Sequence, residues 1–113
     1  MKNYYYAVAT KRFLFIEEPI EEILRERINY YKRISKGIDF WLLDNIELLN
    51  NNEIFLLQEQ FEEPLVALIS TNLNFINWIK LRVVYIKTGK LQNIDIANLD
   101  TKLVDNIIVK ELI

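Results

Sequence analysis

The chain has 113 residues, enough for one domain that buries roughly two-thirds of its unfolded surface. Hydrophobic residues make up 51% and charged residues 27%, a balance that fits a globular domain and excludes a disordered one. The net charge of −2, with lysines and glutamates interspersed, argues against a general nucleic-acid binder, whose affinity rests on a basic face that neutralises phosphates.

Residues Asn3 to Ala9 are aromatic and β-branched enough to predict a strand. Because the chain opens directly into this strand pattern, no signal peptide is expected in front of it. Thr10-Lys11-Arg12 reads as a turn, and Phe13 to Ile16 as a short second strand or an extended lead-in. Glu17-Glu18-Pro19 marks a helix start, with proline tolerated in the first turn and carboxylates favoured by the N-terminal dipole. From Ile20 the spacing is helical: Ile20, Ile23, Leu24, Ile28, Tyr31 and Ile34 share one face. Gly37 is the expected stop. Ile38 to Leu43 reads as a strand, Ile46 to Asn52 stays ambiguous, and Glu53 to Phe61 is a short helix.

Pro64 introduces Leu65-Val66-Ala67-Leu68-Ile69, an unbroken apolar run that predicts a strand covered on both faces. Ser70-Thr71-Asn72 offers helix caps, and a third helix is expected to run from there to Thr88, closed by Gly89. Beyond it, Leu91 to Leu99 is irregular. Asp100 is placed to cap a last helix through Leu103, Val104, Ile107 and Ile108, although Ile107-Ile108-Val109 could equally pair as a strand. The economical architecture is a single α+β domain over residues 1–113, one three- to four-stranded, mostly antiparallel sheet with helices packed on it. No run of about eighteen apolar residues exists, so no transmembrane helix is expected.

Cysteine and histidine are both absent. Disulfides, thiolate nucleophiles, the Ser-His triad and nearly all zinc sites go with them. Two isolated glycines supply no phosphate loop. Glu17, Glu18, Glu21 and Glu22 crowd a helix start, where the dipole explains them better than a metal does. Such an alphabet suits a protein that binds rather than reacts, with no catalytic residue, cofactor or metal expected. The heavy use of isoleucine, asparagine and lysine fits an AT-rich genome such as a plastid's.

Three places remain for binding. Arg27 lies mid-stripe on the first helix; either its stem packs on the core while its head pairs with an acid such as Asp39, or it binds directly. On the third helix Phe75, Ile76, Ile79, Val83 and Ile86 form a tight seating stripe at about 100° per residue. Trp78, Leu81 and Tyr85 fall outside it. Arg82 stands four residues from Trp78, within reach of the indole. Either a loop or the C-terminal tail covers this flank, or it is an exposed patch of residue types enriched at binding hot spots. The adjacent aromatics Phe40 and Trp41 must point to opposite faces of their strand.

In order along the chain stand Tyr4-Tyr5-Tyr6-Ala7, Arg12-Phe13-Leu14 with Glu17-Glu18-Pro19, Glu22-Ile23-Leu24-Arg25-Glu26-Arg27 and Ile38-Asp39-Phe40-Trp41. Ser70-Thr71-Asn72, Phe75-Ile76, Trp78-Ile79-Lys80-Leu81-Arg82, Tyr85 and Thr88-Gly89 complete the series. Over about residues 3–90 this resembles the conserved hypothetical chloroplast frame number fifty-four family of cyanobacteria and plastids; the tail from Leu91 to Ile113 departs from its pattern. The resemblance implies a non-catalytic accessory or assembly protein of the aerobic magnesium-protoporphyrin IX monomethyl ester cyclase of chlorophyll biosynthesis. The implied partner is that enzyme's di-iron catalytic subunit. Asp39, Phe40 and Arg82 match positions implicated in contact with it, and the aromatic flank of Trp78 and Tyr85 would extend the same face. The implied location is the chloroplast stroma, or the thylakoid surface through the partner, or the cytoplasm of a cyanobacterium. A second expectation is a regulatory module that binds a tetrapyrrole in a pocket floored by Tyr4, Tyr6 or Trp41, with Arg27 or Arg82 reaching a propionate.

Overall fold

A computed structural model of the chain describes residues 3–43, 46, 49, 51–83 and 86–91. Strand β1 (Tyr4–Thr10) carries the aromatic and β-branched opening of the sequence, and a π-helical turn spans Phe13–Glu17. Helix α1 (Ile20–Arg33), strand β2 (Phe40–Leu43) and helix α2 (Asn52–Glu59) come next. Strand β3 (Leu65–Ser70), helix α3 (Leu73–Arg82) and strand β4 (Lys87–Leu91) complete the described chain. The strands form one sheet in the order β2-β3-β1-β4 with every neighbouring pair antiparallel. The architecture is the expected α+β one.

Strand alternation sends successive side chains to opposite faces, and here both faces are covered. Ala7, Ala9, Phe40, Leu42, Val66 and Leu68 meet Ile20, Leu24 and Ile28 of α1 and Phe75, Ile76 and Ile79 of α3. Tyr4, Tyr6, Val8, Leu43, Ala67 and Ile69 form the other core, with Ile46, Leu49 and Ile54. That double cover is why Leu65 to Ile69 can be apolar without alternation, every residue of β3 being buried.

Four segments differ from the sequence expectation. Phe13 to Ile16 is helical rather than extended; the Thr10 hydroxyl accepts the Phe13 N–H at 3.2 Å, and Leu14 is buried in the first core. Gly37 does not stop α1. The stop is a Schellman turn in which Ser35 takes φ 56°, with the Ser35 N–H bonded to the Lys32 carbonyl and the Lys36 N–H to the Tyr31 carbonyl. Ile34, the C-cap that leads into this turn, is exposed rather than on the buried stripe. Finally, α3 ends at Arg82, where β-branched Val83 turns extended at φ −107°, ψ 115°. The chain then forms β4, and Gly89 is a strand residue. It lies opposite Tyr6, and a Cβ on it would sit 2.5 Å from the Tyr6 hydroxyl. Close ring approach, not helix capping, accounts for that glycine. Tyr85 and the predicted last helix beyond Asp100 lie outside the described residues.

Candidate functional site

The face of the molecule opposite α2 is where α1 and α3 lie side by side, and its chemistry begins at Asp39. The residue just precedes β2, and its carbonyl accepts both the Thr71 N–H at 3.1 Å and the Ser70 hydroxyl at 2.8 Å. Those bonds fix it to the turn that launches α3. The same turn is capped by Asn72, whose side-chain oxygen accepts the Phe75 N–H at 3.2 Å. On its other side the Asp39 carboxylate accepts the Tyr31 hydroxyl at 2.8 Å and pairs with Lys36 at 3.3 Å. The hydrogen bond from Lys36 to Asp39 holds that ammonium pKa above its ordinary value. Asp39 thus ties the end of α1 to the start of α3.

Above this tie four rings run in series. Tyr31 meets Phe40 edge-on at 5.8 Å, Phe40 meets Phe75 at 5.4 Å, and Phe75 stacks near Trp78 at 6.3 Å. The first three are buried, whereas Trp78 at the end is 43% exposed. Two guanidiniums sit on the series. Arg27 lies 3.8 Å from the Phe75 ring centre and 5.1 Å from that of Tyr31, and its Nε donates to the Tyr31 hydroxyl at 3.1 Å. Arg82 lies 5.3 Å from the Trp78 ring. A third, Arg33, lies over Tyr30 at 5.9 Å.

Between the helices runs a groove of about 340 Å³ edged by Glu26, Arg27, Tyr30, Arg33, Trp78 and Arg82. None of its three arginines has a carboxylate within ion-pair distance among the described residues. An arginine laid over a ring keeps its in-plane N–H donors directed outward, where they can take an anion. The groove therefore sets three guanidiniums beside an aromatic side, with Glu26 the only acid among its described lining residues.

Of the residues expected at a partner surface, Trp78 and Arg82 are brought together on exposed α3, with Leu81 beside them 88% exposed. Asp39 is near but mostly covered, its side chain 19% exposed. Phe40 is fully enclosed at 0%; it supports the face from beneath and offers it no surface. Arg27 shows the packing part of the first expectation, without the ion pair to an acid among the described residues. It rests on core aromatics, and it reaches Asp39 only through the Tyr31 hydroxyl. Tyr30 and Arg33 are groove residues that the helical stripe did not mark. Their spacing from Arg27, three residues at each step along α1, is the signal that could have found them.

The expected tetrapyrrole pocket is not assembled. Tyr4, Tyr6 and Trp41 pack on the α2 face of the sheet, while Arg27 and Arg82 stand on the other. A larger cavity of about 430 Å³ opens at the far end of β1, among Phe13, Leu57, Phe61, Leu65 and Ile86. Of its lining cations Arg12 and Lys87, Arg12 already pairs with Glu63 and Glu17; the hydrogen bond from Arg12 lowers the Glu63 pKa from its ordinary value. Among the described residues, no group of acids could hold a metal and no helix is long and apolar enough to cross a membrane.

The fold and face define an antiparallel α+β domain that carries an open cationic and aromatic groove between two helices. The family model described as "Ycf54 protein" matches residues 2–93, and the chain belongs to this family. An uncharacterized protein ycf54 of Pyropia yezoensis is 45% identical over 93 residues, 82% of this chain and 84% of that one. The crystal structure of the Ycf54 protein from Thermosynechococcus elongatus matches with a TM-score of 0.73 and 39% identity, over 85% of this chain and 90% of that one. A more distant relative, 34% identical over 72% of this chain and 38% of its own, is named "Protein YCF54, chloroplastic" in Arabidopsis thaliana. The family therefore includes chloroplast and cyanobacterial members.

Proposed function

We propose that this chain is a non-catalytic accessory protein of the oxygen-dependent magnesium-protoporphyrin IX monomethyl ester cyclase, acting in the plastid or in a cyanobacterium-type cytoplasm. In this role it binds the di-iron catalytic subunit and supports its assembly or accumulation, and any contact with the thylakoid comes through that partner. Family membership supports the pathway. The observation that carries docking is the half-exposed Trp78 with Arg82 laid against it, beside a groove whose guanidiniums make no ion pair among the described residues. Aromatic and arginine side chains of this kind supply most of the energy at protein interfaces, through desolvated rings and forked hydrogen bonds.

Docking buries the indole and Leu81 and closes Arg82 against an acid of the partner. Loss of Arg82 from such a desolvated position costs about 2–5 kcal/mol of binding. The test is capture of the catalytic subunit by the tagged chain. Arg82→Ala and Trp78→Ala should each deplete it strongly, with folded content checked by circular dichroism. Wild-type capture by both variants would remove this face from the proposal.

A further inference from the structure

Arg27 is held in one orientation from three sides: Phe75 lies under it, Tyr31 flanks it, and the Tyr31 hydroxyl accepts its Nε–H. Each support is itself fixed, Phe75 by the buried ring of Phe40 and Tyr31 by the Asp39 carboxylate. A solvated arginine needs no such frame, and the same side chain makes no ion pair among the described residues. We infer that Arg27 is the anion-reading residue of the groove, taking a carboxylate from an acidic segment of the partner protein, and that Asp39 and Phe40 are positioning residues acting through it. The inference rests on the docking proposed above and names its chemistry.

The occupant follows from charge. Among the described residues Arg27, Arg33 and Arg82 edge the groove with only Glu26 against them, so a polypeptide bearing Asp or Glu beside apolar side chains complements it. With Nε engaged by Tyr31, the two Nη groups remain to form a fork toward the groove. Lysine, a point charge without that fork or a flat face to stack, is a poor replacement. Phe40 has no exposed surface and Asp39 little; an effect of either on binding has to travel through what they touch.

The experiment measures the affinity of the full-length chain for the purified catalytic subunit at several salt concentrations, with thermal unfolding of each variant alongside. Arg27→Gln should weaken binding by about tenfold or more and flatten its salt dependence. Arg27→Lys should restore stability but not affinity. Asp39→Asn and Tyr31→Phe should weaken wild-type binding yet change little in the Arg27→Gln background, because their effect is already lost there. Wild-type affinity in Arg27→Gln, with Arg82→Ala still defective, would overturn the role of Arg27 and leave the docking proposal standing. Full additivity of Asp39→Asn with Arg27→Gln would overturn the positioning role. Loss of binding to phosphatidylglycerol vesicles without loss of binding to the catalytic subunit would overturn the choice of a polypeptide acid.

Discussion

At Ser35 the backbone takes a left-handed turn, φ 56°, that a residue with a Cβ adopts only at a cost. Two hydrogen bonds to the Lys32 and Tyr31 carbonyls hold it there, so the turn is imposed by the need to stop α1 rather than by the residue. Glycine stands two positions later, at Gly37, where φ is not positive and a Cβ would meet nothing within 4 Å. Ser35→Gly should therefore raise the unfolding free energy by about 0.5–1 kcal/mol in urea titration, while Gly37→Ala leaves it unchanged or slightly higher. The sequence points to the right neighbourhood and the wrong residue, since a glycine near a helix end is ordinarily the left-handed one. Arg27 was legible in the same partial way. Its place in an apolar stripe marked it as unusual, but the expected ion pair with Asp39 is not formed: Asp39 pairs with Lys36, and Arg27 meets it only through Tyr31. The intervening hydroxyl of Tyr31 could not be inferred, because Tyr31 already had a sufficient reason to be buried.

Among the elements, α1 was readable because its apolar spacing admits only the helical period, and β3 because a short unbroken apolar run after a proline suits a strand covered on both faces. Helix α3 was readable at its start, where Asn72 caps it, but not at its end. Phe75, Ile76, Ile79, Val83 and Ile86 fit one helical stripe, and all of them are indeed buried or partly buried. The helix nevertheless ends at Arg82, so Val83 and Ile86 lie outside it. Periodicity reports burial faithfully here and conformation wrongly. Strand β4, Lys-Thr-Gly-Lys-Leu, was missed for a related reason. It is an edge strand with polar outward residues and a glycine set against the Tyr6 ring, so it shows no apolar alternation. The cap of α3 has a measurable weight. Asn72→Ala leaves the Phe75 N–H without its side-chain acceptor and should lower stability by about 1 kcal/mol in denaturant unfolding. Because the capped residue carries the ring under Arg27, the same variant should also weaken partner capture modestly.

For the whole molecule, the decisive property is a thin sheet with two separate cores. The unbroken apolar run of β3 announced cover on both sides, and the adjacent pair Phe40-Trp41 had to point to opposite faces. What could not be read was which helices share a face, since strand order and register set that and no local spacing records them. Once β3 is placed between β2 and β1, α1 and α3 fall together and α2 stands alone. The docking groove is a product of that arrangement.

The sheet also keeps the two indoles of the chain apart, Trp41 packed beside Tyr4 behind it and Trp78 standing half in solvent in front. One fluorophore therefore stands half in solvent and the other is largely packed against the sheet. In a Trp41→Phe version all remaining indole emission comes from the front face. Complex formation should shift that emission to shorter wavelength and shield it from iodide, so a cuvette titration can follow assembly without any attached dye.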